Sequence, residues 1–269
     1  MAPDCDAIMQ MYIDLGQCDR DPYWTCLWPS SIAMFQELVS QRPHLVAGRR
    51  VADLGCGLGV GGLAAAFAGA SEVVFLDREP LALQCSLINA ALNGFENAIA
   101  FSDNDKETKR VMAAYQHDIN SVSNNNSNQT KISASLFDWH APPPPNLLHS
   151  FDVVLACDVL YEAFSVDPVA TVAPTLLSPR SSSTNKSPPP AILLADPPLR
   201  AKQNRERFLQ LLSGRGDFLA TEMTTTKALV WEEDSSTESS GQYRSVDIEF
   251  MVLQQGAAGD TIGVKFYNE

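Results

Sequence analysis

The sequence predicts an α/β fold, a Rossmann-like doubly wound sheet of seven strands that is mostly parallel with an antiparallel last strand. The first observation is the segment Val51–Gly62, where an apolar run ends in an acid and a glycine cluster then opens a helical pattern. This is the form of a cofactor turn between a parallel strand and its helix. The second is the alternation of short apolar runs with helical patterns until two late strands, which is typical of successive β-α units.

The predicted elements follow from residue periodicity and from their start and stop signals. Pro29 suits the first turn of a helix, and Asn93-Gly94 is a typical helix end. A near-continuous apolar run at 151–157 is expected of a central parallel strand. We predict strands at 50–54, 72–76, 132–137, 151–157, 191–195 and near 224–231 and 243–253, and helices at about 30–40, 58–69, 79–93, 163–177 and 200–212.

The chain length of 269 residues fits a single domain with one buried core. We therefore assign residues 1–269 to one domain, with residues 1–21 as an N-terminal extension. Three polar stretches, at about 102–131, 178–190 and 232–241, are predicted to be insertions. No repeat or linker divides the chain.

The charge and hydropathy of the chain argue against nucleic-acid and membrane partners. The formal net charge of −13 argues against a nucleic-acid partner, because binding to phosphates needs a clustered basic face. No apolar run approaches the ~20 residues of a membrane span, so no membrane partner is expected either. An acidic protein accommodates a small molecule or a basic protein more readily. We expect a monomer.

Cysteine and histidine usage indicates neither a metal site nor a disulfide framework. The six cysteines contain no Cys-x-x-Cys pair, and the four histidines show no ligand spacing. We therefore predict no metal and a reducing compartment. The first forty residues lack the apolar core of a signal peptide, so a cytoplasmic location is expected. A mitochondrial location is the alternative if the natural protein carries a targeting segment upstream.

Acidic residues occur where several predicted strands end. Asp53, Asp77, Asp138 and Asp158 each follow an apolar run directly. Carboxyl ends of parallel strands share one edge of the sheet, and ligands of such folds bind at that edge. We therefore expect these four side chains to converge on one site. Four acids at the same edge are stronger evidence for a binding site than any one of them alone.

The glycine loop favours a cationic cofactor. Gly55, Gly57 and Gly59 give Gly-x-Gly-x-Gly, whereas a dinucleotide fingerprint would place its third glycine at the position of Val60. A pyrophosphate binds helix amides and is repelled by a nearby carboxylate. Asp53 lies two residues before the first of these glycines. S-adenosylmethionine carries a sulfonium and an ammonium, and a carboxylate stabilises both, so this is the predicted cofactor.

The remaining cofactor-binding assignments follow the predicted edge. Asp77 would accept hydrogen bonds from the ribose hydroxyls, a role that a nicotinamide enzyme would share. Asp138 and Trp139 would flank the adenine, and Trp28 would close the cofactor side. Cys157 ends the fourth strand at the same edge, and we include it, although a buried reduced thiol is its simpler interpretation.

These motifs resemble a known enzyme class. The loop Asp53-Leu-Gly-Cys-Gly-Leu-Gly59 and the strand order are similar to those of the class I, seven-β-strand methyltransferases. Trp28-Pro-Ser-Ser31 and Asp158-Val-Leu-Tyr161 resemble motifs of the family 16 protein lysine methyltransferases. The resemblance implies methyl transfer from S-adenosylmethionine to a lysine of a protein substrate. The polar insertions and the tetrad Asp196-Pro-Pro-Leu199 depart from the family pattern and leave the substrate open.

Asp158 and Tyr161 are the predicted catalytic residues. A carboxylate can orient the incoming lysine, and an aromatic wall disfavours its charged form. The main alternative is a small-molecule N- or O-methyltransferase, because its cofactor half would look the same. A nicotinamide oxidoreductase or a non-catalytic cofactor-binding protein is more remote. An adenine methyltransferase is disfavoured, since its Asp-Pro-Pro-aromatic motif belongs after the fourth strand and Asp196 follows the fifth.

Overall fold

The computed structural model describes most of the chain. The insertions predicted at about 102–131, 178–190 and 232–241 lie largely outside the described residues. A few residues at their ends belong to strands. Lys131 already begins one strand and Glu233 still belongs to another. The described residues are 2–18, 20–95, 130–179, 188–215, 218–233 and 241–256.

Within the described residues, seven strands form one sheet in the order β3-β2-β1-β4-β5-β7-β6. Strands β1 to β5 pair in parallel. Strand β7 runs antiparallel between β5 and β6. The predicted fold class, including the antiparallel last strand, is confirmed. The strands are β1 Arg50–Leu54, β2 Glu72–Asp77, β3 Lys131–Leu136, β4 Val153–Cys157, β5 Ala191–Asp196, β6 Phe218–Glu233 and β7 Gly241–Gln255.

Helices cover both faces of this sheet, as the doubly wound prediction requires. Apolar side chains alternate along the central strands: Val153 and Leu155 of β4 pack in one core cluster and Val154 in the other. Helices α2, α3 and α4 contribute to the first cluster, and α5 and α6 to the second. The helices are α1 Cys5–Asp14, α2 Pro29–Gln36, α3 Val60–Phe67, α4 Pro80–Leu92, α5 Ala163–Leu176 and α6 Lys202–Gly214. None of the described helices is long and apolar enough to cross a membrane.

Three predicted elements differ most from the structure in length, namely one helix and the two late strands. The predicted helix at about 30–40 is an α-helix to Gln36 followed by one π turn, Glu37–Gln41. In that wider turn the Arg42 amide donates to the Glu37 carbonyl at 2.7 Å, and the Arg42 guanidinium pairs with Glu37 and with Glu222 of β6. The late strands are also longer than predicted, because β6 and β7 stay paired as far as Glu233 and Gly241.

The carboxyl ends of the central strands meet at one edge, and the chain bends sharply there. Asp158 directly follows β4 and adopts a left-handed backbone with φ 58°, which is costly for a residue other than glycine and is often seen at functional sites. Its amide donates to the Ala195 carbonyl of β5 at 2.9 Å. The fold thus holds Asp158 at the edge where parallel α/β sheets bind ligands.

Candidate active site

A cavity of about 480 Å³ opens at this edge of the sheet. This volume lies within the range of small-molecule sites, roughly 300–1,000 Å³. Of the predicted site residues, Gly59 is absent from its wall and the others line it: Trp28, Asp53, Gly55, Gly57, Asp77, Asp138, Trp139, Cys157, Asp158 and Tyr161.

The glycine loop is anchored through its own amides. The amides of Gly55 and Cys56 both donate to the Leu76 carbonyl of β2, at 2.8 and 3.1 Å. The Gly57 amide donates to the Asp77 carboxylate at 2.9 Å, and the Gly59 amide to the Cys56 carbonyl at 2.8 Å. A pyrophosphate cradle needs such amides free, so the loop is poorly suited to a dinucleotide.

Two of the glycines are required by close contacts. Gly55 has φ 69°, and a Cβ there would lie 2.8 Å from the Trp139 ring, so glycine lets the indole pack on the loop. Gly59 has φ 79°, and its Cβ would lie 2.7 Å from the Ser86 Cβ. Gly59 therefore serves packing between the loop and α4, and its predicted part in cofactor binding stays a prediction.

Asp53 is a buried carboxylate at the floor of the cavity. Its Oδ2 accepts a hydrogen bond from the Gly62 amide of α3 at 2.7 Å. A Cβ on Gly61 would lie 3.1 Å from Oδ1, so small residues surround the acid. Burial raises the pKa of Asp53 to about 7, against the lowering effect of the Gly62 amide. An organic cation in the cavity would stabilise the ionised carboxylate and lower its pKa, whereas an anion would raise the pKa further.

Asp77 occupies the position predicted for a ribose-binding acid. Its two oxygens accept hydrogen bonds from the amides of Gly57 and Glu79, both at 2.9 Å. Burial raises the pKa of Asp77 to about 6, while these two amides lower it. A carboxylate oxygen has capacity for a second hydrogen bond, so the fixed carboxylate can still accept from ligand hydroxyls.

Asp138 and Trp139 line the cavity beyond the end of β3. Asp138 lies at the rim, and its Oδ1 accepts a hydrogen bond from the His140 amide at 2.9 Å and lies 2.9 Å from the His140 Nδ1. The Trp139 ring packs on Gly55, and its Nε1 is buried with no hydrogen-bond partner among the described residues. A buried, unpaired N–H is costly, so the indole is a donor available to a ligand.

The N-terminal segment, whose role the sequence left open, covers one side of the cavity. Tyr12 of α1 is fully buried, and its hydroxyl accepts from the Trp24 Nε1 at 3.0 Å and donates to Glu79 at 3.1 Å. The Arg20 guanidinium lies 4.3 Å above the Tyr12 ring and pairs with Glu79. Trp24 itself lines the cavity, and a Cβ on Gly57 would lie 3.3 Å from its carbonyl oxygen.

Asp158 is buried, and an arginine that sequence reasoning missed covers it. The Arg200 guanidinium pairs with the Asp158 Oδ1, and the two side chains are 45% and 4% exposed. Oδ2 is buried without a hydrogen-bond partner among the described residues, as is the Ser30 hydroxyl. Burial raises the pKa of Asp158, against the lowering effect of the Arg200 guanidinium.

Aromatic rings form the wall around this carboxylate. Tyr161 is 36% exposed, and burial, with the nearby Asp21, raises the pKa of Tyr161 to about 12, so its hydroxyl stays protonated at neutral pH. The Trp28 indole donates to the Tyr23 carbonyl at 3.0 Å. The Arg200 guanidinium carbon lies 5.1 Å from the centroid of the Trp28 ring, within cation–π range.

Further polar groups lie behind the wall. Asp196, at the end of β5, is fully buried with both oxygens unpartnered among the described residues. Burial and the nearby Asp158 raise the pKa of Asp196 well above its usual range. Burial also raises the pKa of the Cys157 thiol well above its usual range. Applying the strand-end rule to β5 would have pointed to Asp196 and the loop that carries Arg200.

The fold and the site together define a Rossmann-like α/β protein whose cofactor loop carries buried acids beside its glycines. Residues 32–135 match the family described as ribosomal protein L11 methyltransferase (PrmA). In the part of the chain that the structure describes, no group of three or more histidine, cysteine or acidic side chains could hold a metal.

The chain is similar to curated methyltransferases over part of its length. It is 40% identical over 84 residues to the electron transfer flavoprotein beta subunit lysine methyltransferase of Danio rerio, covering 31% of this chain and 32% of that protein. It is 39% identical over 97 residues to the ribosomal protein L11 methyltransferase of Marinobacter nauticus, covering 36% of this chain and 30% of that protein. The matched region thus spans about a third of these relatives.

These similarities confirm the resemblance that the motifs indicated. Three further segments resemble the electron transfer flavoprotein lysine methyltransferases: Asp21-Pro-Tyr-Trp24, Asp196-Pro197 and Leu229-Val-Trp231. Among solved structures, a branched-chain polyamine synthase mutein from Thermus thermophilus superposes with a TM-score of 0.50 at 15% identity, covering 88% of this chain and 59% of that one. This likeness concerns the fold.

Proposed function

We propose that the protein is an S-adenosylmethionine-dependent methyltransferase that methylates a lysine side chain of a protein substrate. One observation carries the proposal: a cationic-cofactor loop and a buried carboxylate with an aromatic wall open into one cavity. Asp53, Asp77, Asp158 and Tyr161 all line this cavity. The partial similarity to protein methyltransferases supports the same activity.

The residues present suit this cofactor. Asp53 would hold the cationic amino-acid end, Asp77 the ribose hydroxyls, and Trp139 the adenine, with its free N–H as a donor. Bound S-adenosylmethionine would supply an electrophilic methyl group on a sulfonium. The loop amides donate to protein acceptors, and the acids would repel a pyrophosphate, so a nicotinamide dinucleotide is the poorer fit.

The chain's own residues would prepare the acceptor. A lysine must be neutral to act as a nucleophile, and with a reference pKa of about 10.4 this costs roughly 4–5 kcal/mol at pH 7. Tyr161 provides partly buried surface beside the site, and desolvation there disfavours the ammonium once the lysine has entered. Asp158 would accept a hydrogen bond from the incoming amine and aim it into the cavity. Positioning of this kind accounts for much of the rate of an in-line transfer.

The proposal is tested with Asp158 variants. Asp158→Ala is expected to leave affinity for S-adenosylmethionine within about threefold of the parent by calorimetry, because Asp158 lies on the acceptor side. Transfer of labelled methyl groups to protein in a cell extract should fall at least a hundredfold, in line with loss of a residue that positions the nucleophile. Asp167→Asn, at an exposed ion pair with Arg207, is the control and should transfer normally.

Several outcomes would contradict the proposal. Undiminished transfer by Asp158→Ala would remove Asp158 from the mechanism. Label on small molecules alone would favour the small-molecule methyltransferase, and absence of cofactor binding by the parent protein would reject the whole class.

A monomer that works without a nucleic-acid partner in the cytoplasm remains our prediction from the sequence, with mitochondria as the alternative.

A further inference from the structure

We propose that Arg200 occupies the place of the acceptor ammonium, so that a substrate lysine enters the site only by exchanging with this guanidinium. The inference rests on the proposed function, since it concerns the acceptor side of the same cavity. It makes Arg200 a residue that determines which amines the site admits.

The contacts of Arg200 are those that an alkylammonium would make. Its guanidinium pairs with the Asp158 carboxylate and lies over the Trp28 ring, 5.1 Å from the centroid. A carboxylate and an aromatic face are the two groups that bind organic cations in proteins. Arg200 also lines the cavity beside Tyr161, so it lies within the site.

Both cations cannot use Asp158 at once. The Oδ2 atom has almost no accessible surface and so cannot be reached from the cavity, and Arg200 covers Oδ1 while remaining 45% exposed itself. A lysine that arrives from the cavity must therefore take the position that Arg200 holds.

The exchange must also be concerted. A carboxylate as buried as Asp158 is strongly destabilised when it has no cationic partner. Arg200 can therefore leave at low cost only when another cation arrives or when Asp158 takes up a proton; a lysine supplies that cation, and a neutral side chain does not. The site would select amines over neutral groups before any transfer takes place.

The loop that carries Arg200 allows such a movement. Arg205 of α6 fixes the start of the loop by donating to the carbonyls of Pro197 and Pro198 at 3.1 and 3.0 Å. Ala201 is fully buried at its other end, whereas Leu199 is 84% exposed. Only the tip, Leu199–Arg200, faces solvent, so the guanidinium can swing outward without disturbing the backbone on either side.

The test measures amine binding without methyl transfer. The probe is Nα-acetyl-lysine N-methylamide, titrated into the full chain while the Trp28 indole resonance is followed by NMR. We expect Arg200→Gln to bind the probe at least tenfold more tightly than the parent, because the competing cation is gone. Arg200→Lys, which keeps a cation, should bind as weakly as the parent.

Controls separate this effect from a general change in charge. Arg207→Gln removes a guanidinium from the exposed pair with Asp167 and should bind the probe like the parent. Adding Asp158→Asn to Arg200→Gln should abolish the gain, and Nα-acetyl-norleucine N-methylamide, the neutral isostere, should show no gain in any variant. Thermal unfolding of each variant verifies that it is folded.

Equal or weaker binding by folded Arg200→Gln would overturn the inference, as would a gain that survives Asp158→Asn. Because no methyl group is transferred, a gain in amine affinity would stand even if the parent methylated no protein. Loss of transfer with intact amine exchange would instead reject the proposed function alone.

Discussion

Replacing Asp53 by asparagine should stabilise the free protein and weaken its hold on the cofactor. The substitution keeps the shape of the side chain and an oxygen for the Gly62 amide, which lies 2.7 Å from Oδ2. It removes a negative charge that burial disfavours, since the pKa of Asp53 is raised from 3.8 to about 7. One charge thus has opposite effects on folding and on binding.

The effect on stability depends on pH with a definite sign. Between pH 3.8 and about 7, folded Asp53 keeps a proton that the unfolded chain has released, so its contribution to the free energy of unfolding falls as pH rises. Above about pH 7 this contribution no longer changes, because Asp53 is then ionised in both states. Since one pKa unit corresponds to about 1.4 kcal/mol, the full cost at high pH is on the order of 4 kcal/mol.

Urea unfolding without cofactor measures this cost. The stability advantage of Asp53→Asn over the parent should widen by about 2–3 kcal/mol between pH 5 and pH 8, because the parent's folded state loses its proton in that interval. Asp167→Asn, at the exposed pair with Arg207, should show no such widening. A constant difference between Asp53→Asn and the parent across this range would refute the burial argument.

Calorimetry with S-adenosylmethionine measures the opposite effect. A hydrogen bond to a charged group is worth about 1.5–3 kcal/mol, so Asp53→Asn should bind the cofactor about ten- to a hundredfold more weakly. The parent's affinity should rise with pH up to about 7 as Asp53 ionises, and the variant's should rise less. Unchanged affinity at pH 8 would show that Asp53 does not face the cationic end.

Two further variants test the packing of α3 and the acceptor wall. Gly62→Ala should destabilise the fold by about 1–3 kcal/mol, because its Cβ would lie 2.5 Å from the Phe75 ring. Gly214→Ala, in a helix with nothing within 4 Å, should unfold in urea at the parent's midpoint or slightly above it. Tyr161→Phe should retain most labelled methyl transfer, because the proposed role needs the ring, whereas Tyr161→Ala should lose at least tenfold. Equal urea midpoints for the two glycine variants would contradict the packing argument. Undiminished methyl transfer by Tyr161→Ala would contradict the role of the ring.

Local pattern was sufficient for much of the fold. Strand β1 was predicted with the bounds that the structure has, because a short apolar run between Arg50 and a glycine loop is typical of a buried parallel strand. The late strands were predicted too short, because the pattern before 224 was not recognised as strand and because Glu232 and Glu233 are acidic and were assigned to a polar loop. Their pairing partners lie across the hairpin in β7, and such partners are set by register that no local window contains.

Sequence reasoning also found some residues of the candidate site and missed others. The strand-end rule placed Asp53, Asp77 and Asp158 at one edge because parallel topology forces carboxyl ends together. Gly59 matched the loop spacing but turned out to face Ser86, because spacing along the chain does not say which side of a turn meets the cavity. Arg200 was missed because a lone arginine in a loop carries no pattern.

The sequence by itself determined the α/β class, the glycine loop and the acids at the strand ends, since these depend on periodicity and on short-range order along the chain. Only the tertiary structure decided which carboxylates are buried, that Tyr12 of the N-terminal helix holds the cavity residue Trp24, and that Arg200 covers Asp158 across 42 positions. Burial and ion pairing depend on groups brought together from distant segments, and the energies of buried charges follow from those neighbours.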